Sequence, residues 1–220
     1  MPNVGVLLSG CGVNDGTEIN EAVLSIYFLE KHGANLIFMA LDKKQMHVID
    51  HLTGQIAKNE TRNVMVESAR ITRGNIRNVK DISINDIDAL FIPGGFGAAK
   101  NLSTFAIDST DYKLDPAVEN IILAIIMAKK PLAAICIAPV LIAKALQKIG
   151  IKSKITIGND KDTAEAIQNL GAVHINCPVD EAIVDKENKI VTSPAYMLGN
   201  KVFEVAEGIE ETAIKLMGLL

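Results

Sequence analysis

Cys136 stands where an apolar run over Leu132–Ile135, of strand character, meets another over Ala138–Ile149, of helical character. Two readings compete for it. Free cysteine is among the most buried of side chains, so the residue suits a small core position. A cysteine at a helix N-terminus also feels the positive end of the dipole, which favours thiolate, and a strand-to-helix elbow exposes its side chain. Pro139 fits the first turn of such a helix, where a missing N–H costs nothing. The residues around the cysteine do not choose between a core thiol and a nucleophile.

Two further segments leave apolar strands with residues suited to chemistry. In SGCGVNDGTEINEAV, Glu18 and Glu21 lie three apart on one helix face, either for acid–base work or simply to complement the helix dipole. The Gly10-Cys11-Gly12 pattern stops short of a dinucleotide fingerprint. Its third glycine position is Asp15, and the two glutamates would crowd a pyrophosphate. In IPGGFGAAKNL, Gly94 and Gly95 allow backbone amides to converge as an oxyanion hole, or form a plain tight turn. Lys100 lacks the setting of a Walker loop. His47 and His51 have metal-pair spacing only on a helix, which Thr53-Gly54 argues against, so neither a metal nor a cofactor is expected. Cys11 sits on a loop expected to approach the Cys136 pocket, and Cys177 shows no chemistry of its own.

The elements that must position these residues alternate. Strands are read at Val4–Leu8, Asn35–Ala40, Asp88–Ile92 and Leu132–Ile135. Helices are read over Glu18–Lys31, Glu60–Ile71, Pro116–Ala128, Ala138–Ile149, Thr163–Leu170 and Lys201–Met217. Met46–Ile56 reads as a hairpin turning near Thr53-Gly54, Ile155–Ile157 and Val173–Ile175 as short strands, and Ala182–Val184 with Ile190–Thr192 as a second hairpin. Continuous apolar strands between helices give an α/β fold, a three-layer sandwich on a mostly parallel sheet, with residues 1–220 as one domain. Ligands of such sheets bind beyond the carboxyl ends of the strands, where all three segments emerge.

Composition narrows the function classes. With 22 basic against 26 acidic side chains, and 4% aromatics without tryptophan, the chain offers no basic patch or stacking platform, so no nucleic acid is expected. Three cysteines without CxxC spacing argue against a disulfide framework or zinc knuckle. MPNVGVLLSG lacks a basic n-region and Pro131–Ala143 is too short to span a bilayer. No membrane partner is expected, and the location is read as cytoplasmic.

Taken together, GVLLSGCGVNDGTEINEAV, DHLTGQ, ETRNVMVESARITRG, IPGGFGAAKNLS, CIAPVL, TIGNDKDTAEAI and CPVDEAIVDKENKIVTSPAYML resemble the ElbB family of the PfpI-like, class I glutamine-amidotransferase-like superfamily. The resemblance covers nearly the whole chain. It implies a flavodoxin-like domain with the elbow cysteine on Cys136, the first-helix glutamate on Glu21, a second acidic position on Glu18, and oxyanion amides on Gly95 and Ile137. It also marks a departure. Ile137 stands where the related peptidases carry histidine, and TIGNDKD replaces a later histidine-bearing segment, so glutamine hydrolysis and peptidase activity lose their base.

The Cys136–Glu21 pair that remains resembles that of the superfamily's glyoxalases, and this resemblance implies a cofactor-independent glyoxalase that converts glyoxal-type 2-oxoaldehydes to hydroxy acids (glyoxal to glycolate). Its partners would be a small aldehyde substrate and a second copy in a homodimer. A neutral Glu21 would hydrogen-bond the sulfur and hold Cys136 ionised. The alternative is a redox-sensing or interaction protein without turnover, which rests on an accessible, low-pKa thiol. An amidotransferase subunit would need a partner to complete the site. Whether Arg62, Arg70 or Arg73 reaches the pocket to bind a carboxylate stays open at this level.

Overall fold

Strand β1 (Asn3–Leu8) is apolar along its length because both faces are covered: Val4, Val6 and Leu8 join one core cluster and Leu7 the other. A computed structural model describes the backbone of residues 1–220 and every side chain but that of Thr110. From β1 the chain continues through α1 (Ile19–Lys31), β2 (Asn35–Ala40), β3 (Ile49–Asp50), β4 (Gln55–Ile56), α2 (Val64–Ile71), β5 (Arg77–Asn78) and β6 (Ala89–Ile92). Then come α3 (Phe96–Lys100), α4 (Phe105–Asp108), α5 (Pro116–Met127), β7 (Leu132–Ile135) and α6 (Pro139–Ile149). The last stretch holds β8 (Lys154–Ile155), α7 (Lys161–Asn169), β9 (Val173–His174), β10 (Ile183–Asp185), β11 (Ile190–Ser193) and α8 (Val202–Met217).

Seven strands form one sheet in the order β10-β11-β7-β6-β1-β2-β5, parallel throughout except where β10 returns along β11. Side chains of α1 and α8 (Leu29, Val205, Ile209) pack on one face, and those of α5 and α6 (Ile122, Ile125, Leu141) on the other. This is the expected three-layer α/β sandwich. Helix α5 shows what holds the layers. Its isoleucines each cost up to about 0.7 kcal/mol of helix propensity relative to alanine, but burying one returns about 1.5–3 kcal/mol. Packing wins, helped by the Asp115 cap on Ala117 N and by Pro116 in the first turn.

The second quarter of the chain departs from the sequence reading. Helix α2 starts at Val64, not Glu60, because the Asn63 side chain accepts from Met65 N and Val66 N, while Arg62 O accepts from Gln45 N at 2.8 Å. The hairpin turns at Gly54 as expected but is confined to β3 and β4. Met46 N is taken by Asn101 Oδ1 and Ile49 N by Asp15 Oδ2, which tie this segment to the loops of the main sheet. Strand β5 and helices α3 and α4 are too short for periodicity to reveal. Among the described residues no helix is long and apolar enough to cross a membrane.

Candidate active site

Three segments leave the carboxyl ends of β1, β6 and β7 and interlock. After β1, Gly10 and Gly12 take φ of 117° and 135°, and Gly16 N donates to Gly12 O at 2.7 Å, so the loop folds back before α1. Glu18 N then donates to Gly94 O (3.1 Å), while Phe96 N donates to Val13 O (2.8 Å) and Gly97 N to Gly16 O (2.8 Å). Gly95 has φ 95°, and a Cβ there would meet Gly16 O at 2.5 Å, so the two loops approach this closely only over glycine. Buried Asn101, just after α3, donates from Nδ2 to Ser9 O (2.8 Å) and Asp15 O (2.9 Å).

After β7, Cys136 takes φ 59° while its N donates to Ser193 O at 3.0 Å. That conformation costs a non-glycine residue roughly 1–2 kcal/mol; the fully buried β7 and the largely buried α6 hold it in place. The amides of Gly95 and Ile137 favour charge on the sulfur, and the Glu21 carboxyl stands beside it. Glu21, in the first turn of α1, is fully buried. Its Oε2 accepts from Gly94 N at 2.9 Å and its Oε1 from Tyr196 N at 3.2 Å. A Cβ on Gly94 would stand 2.5 Å from Oε2 and 2.9 Å from Sγ, so glycine is what lets carboxyl and sulfur meet. Glu18 caps the same helix, its Oε2 accepting from Glu21 N at 2.6 Å.

Burial sets the charge state of this pair. It pushes the Glu21 carboxyl up to about 7, with the Glu18 charge adding to it and Tyr196 N, Cys136 and Gly94 N pulling the other way. Burial first, then the Glu21 charge, pushes the Cys136 thiol well up, against the pull of the Gly95 and Ile137 amides. The raised Glu21 carboxyl agrees with the expected neutral form, whereas burial works against the expected thiolate at Cys136. Each charge disfavours the other, so the two groups titrate as a pair.

Cys136 remains 8% exposed on the wall of a cavity of about 440 Å³. Glu18, Gly95 and Ile137 share that wall, so the structure brings all five sequence-derived site residues together, Glu21 by its contact with the sulfur. Among the described residues no group of three or more His, Cys, Asp or Glu is placed to hold a metal.

No family model matches the chain. The human glutamine amidotransferase-like class 1 domain-containing protein 3, mitochondrial, is 45% identical over 225 residues, covering 98% of this chain and 82% of that protein. The chain belongs to the ES1 family of class I glutamine-amidotransferase-like proteins. The rat ES1 protein homolog, mitochondrial, is 44% identical over 225 residues, covering 98% of this chain and 83% of that one. The crystal structure of an isoprenoid biosynthesis protein with amidotransferase-like domain from Ehrlichia chaffeensis superposes on this ES1-family chain with a TM-score of 0.93. It is 36% identical and covers 100% of this chain and 99% of its own, in keeping with the ElbB resemblance.

The cytoplasmic placement does not stand. The human and rat ES1-family relatives are mitochondrial, as is the ES1 protein of zebrafish. The composition of a folded domain does not report which compartment it ends in. The loop of Cys11 reaches the cavity as expected, through Val13, while Cys11 itself lies among Glu67, Arg70, Asp15 and Arg62. Arg62 and Arg70 pair with Glu67 at 3.7 and 2.9 Å, and neither they nor Arg73 lines the cavity. None of the four histidines lines it either.

Sequence reasoning missed Tyr196, whose amide anchors Glu21, and the wall residues Phe96, Phe105, Asp160 and Thr163. The only local signal was Asp160-x-x-Thr163, the spacing of a helix cap, realised as Thr163 N donating to Asp160 Oδ1 at 2.9 Å.

Proposed function

We propose that this chain is a cofactor-independent glyoxalase acting on 2-oxoaldehydes through Cys136 and Glu21. One arrangement supports the reading: the Cys136 thiol, Gly95 and Ile137 share one cavity wall, and the Glu21 carboxyl, pushed up to about 7 by burial, lies behind the sulfur. Ionised Glu21 takes the thiol proton as sulfur adds to the aldehyde carbon, and the Gly95 and Ile137 amides stabilise the alkoxide that forms. Protonation gives a hemithioacetal. Glu21 then removes the C–H proton of that carbon and returns a proton to the adjacent carbon, by way of an enediol. The product is a thioester carrying a hydroxymethyl group, which water cleaves to regenerate the thiol.

For glyoxal the sum is glyoxal plus water to glycolate plus a proton. One carbon is oxidised and its neighbour reduced, so the electrons balance within the substrate. The lack of a histidine on the wall leaves glutamine hydrolysis without its usual base. The redox-sensing alternative has less support, since it calls for an accessible thiol of lowered pKa and Cys136 is 8% exposed with its thiol pushed up. Cys136→Ala is expected to reduce glyoxal conversion, followed as glycolate by NMR, to the uncatalysed background. Parent-level conversion in that variant would overturn the mechanism.

A further inference from the structure

The cavity is larger and more selective than a two-carbon aldehyde requires. At about 440 Å³ it falls in the range that encloses ligands of drug size, so glyoxal alone would leave most of it empty. Its walls carry the carboxylates of Glu18 and Asp160 and the rings of Phe96, Phe105 and Tyr196, with no lysine, arginine or histidine. Glu18 uses one oxygen to cap α1, and among the described residues its Oε1 has no hydrogen-bond partner.

Lys100, 5.3 Å from the Phe96 ring centroid, donates to Asn14 O at 2.7 Å. A substrate carboxylate entering this space would lose water and meet two carboxylates on the lining. An organic ammonium would find those two carboxylates and aromatic rings, the kind of lining that recognises such groups elsewhere.

We propose that the site takes a carbonyl compound bearing an ammonium group and rejects carboxylate-bearing ones, with Glu18 and Asp160 as the specificity-determining residues. The carbonyl half of this statement rests on the glyoxalase reading; the charge preference does not. It is therefore tested on the thiol, without turnover. Paired methanethiosulfonates, one aminoethyl and one sulfonatoethyl, convert a cysteine to a mixed disulfide with release of methanesulfinate and differ in the sign of their charge.

Rates at Cys136 are read by peptide mass spectrometry, which separates it from Cys11 and Cys177, and are divided by the same reagents' rates with 2-mercaptoethanol. The cationic reagent is expected to be favoured at least tenfold in the parent. The double variant Glu18→Gln, Asp160→Asn, which keeps a capping oxygen at both positions, is expected to bring the ratio close to one. A parent ratio near one, or favouring the anion, overturns the charge preference, and a ratio unchanged in the double variant overturns its assignment to these residues. If neither reagent reaches Cys136, both the preference and the glyoxalase reading fall. A clear cation preference without conversion of glyoxal removes only the glyoxalase reading.

Discussion

Glu21 and Glu67 invite comparison: both are helix glutamates almost stripped of solvent, and each stands beside a cysteine, Cys136 in one case and Cys11 in the other. Their partners differ. Glu67 faces two guanidinium groups, Arg70 at 2.9 Å and Arg62 at 3.7 Å. Among the described residues Glu21 meets no cation: the amides of Gly94 and Tyr196 donate to it, the Cys136 thiol stands beside it, and the Glu18 charge acts against its own. Guanidinium groups balance a buried carboxylate charge, whereas amides offset only part of its desolvation. The first arrangement builds a fixed ion pair; the second leaves a proton able to move near neutral pH. That proton is what the proposed chemistry at Cys136 needs and the ion pair beside Cys11 lacks.

The largest expected effect is on turnover. In the proposed mechanism Glu21→Gln removes the group that shuttles protons, and general acid–base catalysis of this kind is worth about 10²–10⁴-fold. Glyoxal conversion should fall by that factor while Cys136 remains present and titratable by alkylation. A variant that keeps a third or more of parent activity would reduce Glu21 to packing.

The next effect is on stability. The folded state holds the Glu21 proton up to about 7, whereas an exposed glutamate releases it near 4.5. Between those values the folded state binds more protons than the unfolded chain, so the Glu21 contribution to stability falls as pH rises and levels off above about 7. At about 1.4 kcal/mol per pH unit, the loss comes to roughly 3 kcal/mol. His174, lowered by burial, contributes a slope of the opposite sign, so the parent must be compared with Glu21→Gln. Urea midpoints at pH 5 and pH 8 should converge in the variant relative to the parent. Equal pH dependence in the two would mean that Glu21 is not the buried proton carrier.

Much of this arrangement was legible in the sequence, and the gaps follow from physics. The elbow at Cys136 could be read because strand and helix periodicities change on either side of one residue; helical spacing gave the pair Glu18 and Glu21, and the family resemblance singled out Glu21. Tyr196 could not. It arrives on a three-residue 3-10 turn after β11, and only the pairing of β11 with β7 carries it to Glu21. Phe105 comes from a four-residue helix with no periodicity to detect. The burial that pushes the Cys136 thiol up could not be read either, because it follows from tertiary packing rather than from residue type.

The smallest effect belongs to the other glutamate and is the sharpest control. Glu67→Gln removes a carboxylate from a pair whose cations remain well hydrated, Arg70 being 66% and Arg62 38% exposed. The lost attraction is offset by the desolvation that the charge no longer incurs, and pairs open to solvent on one side contribute about 0–1 kcal/mol. Urea midpoints should therefore shift by no more than about 1 kcal/mol in equivalent stability, glyoxal conversion should match the parent, and the slope of stability between pH 5 and pH 8 should persist. If Glu67→Gln flattens that slope as Glu21→Gln is expected to do, the movable proton does not reside at the Cys136 elbow, and the contrast between the two glutamates gives way.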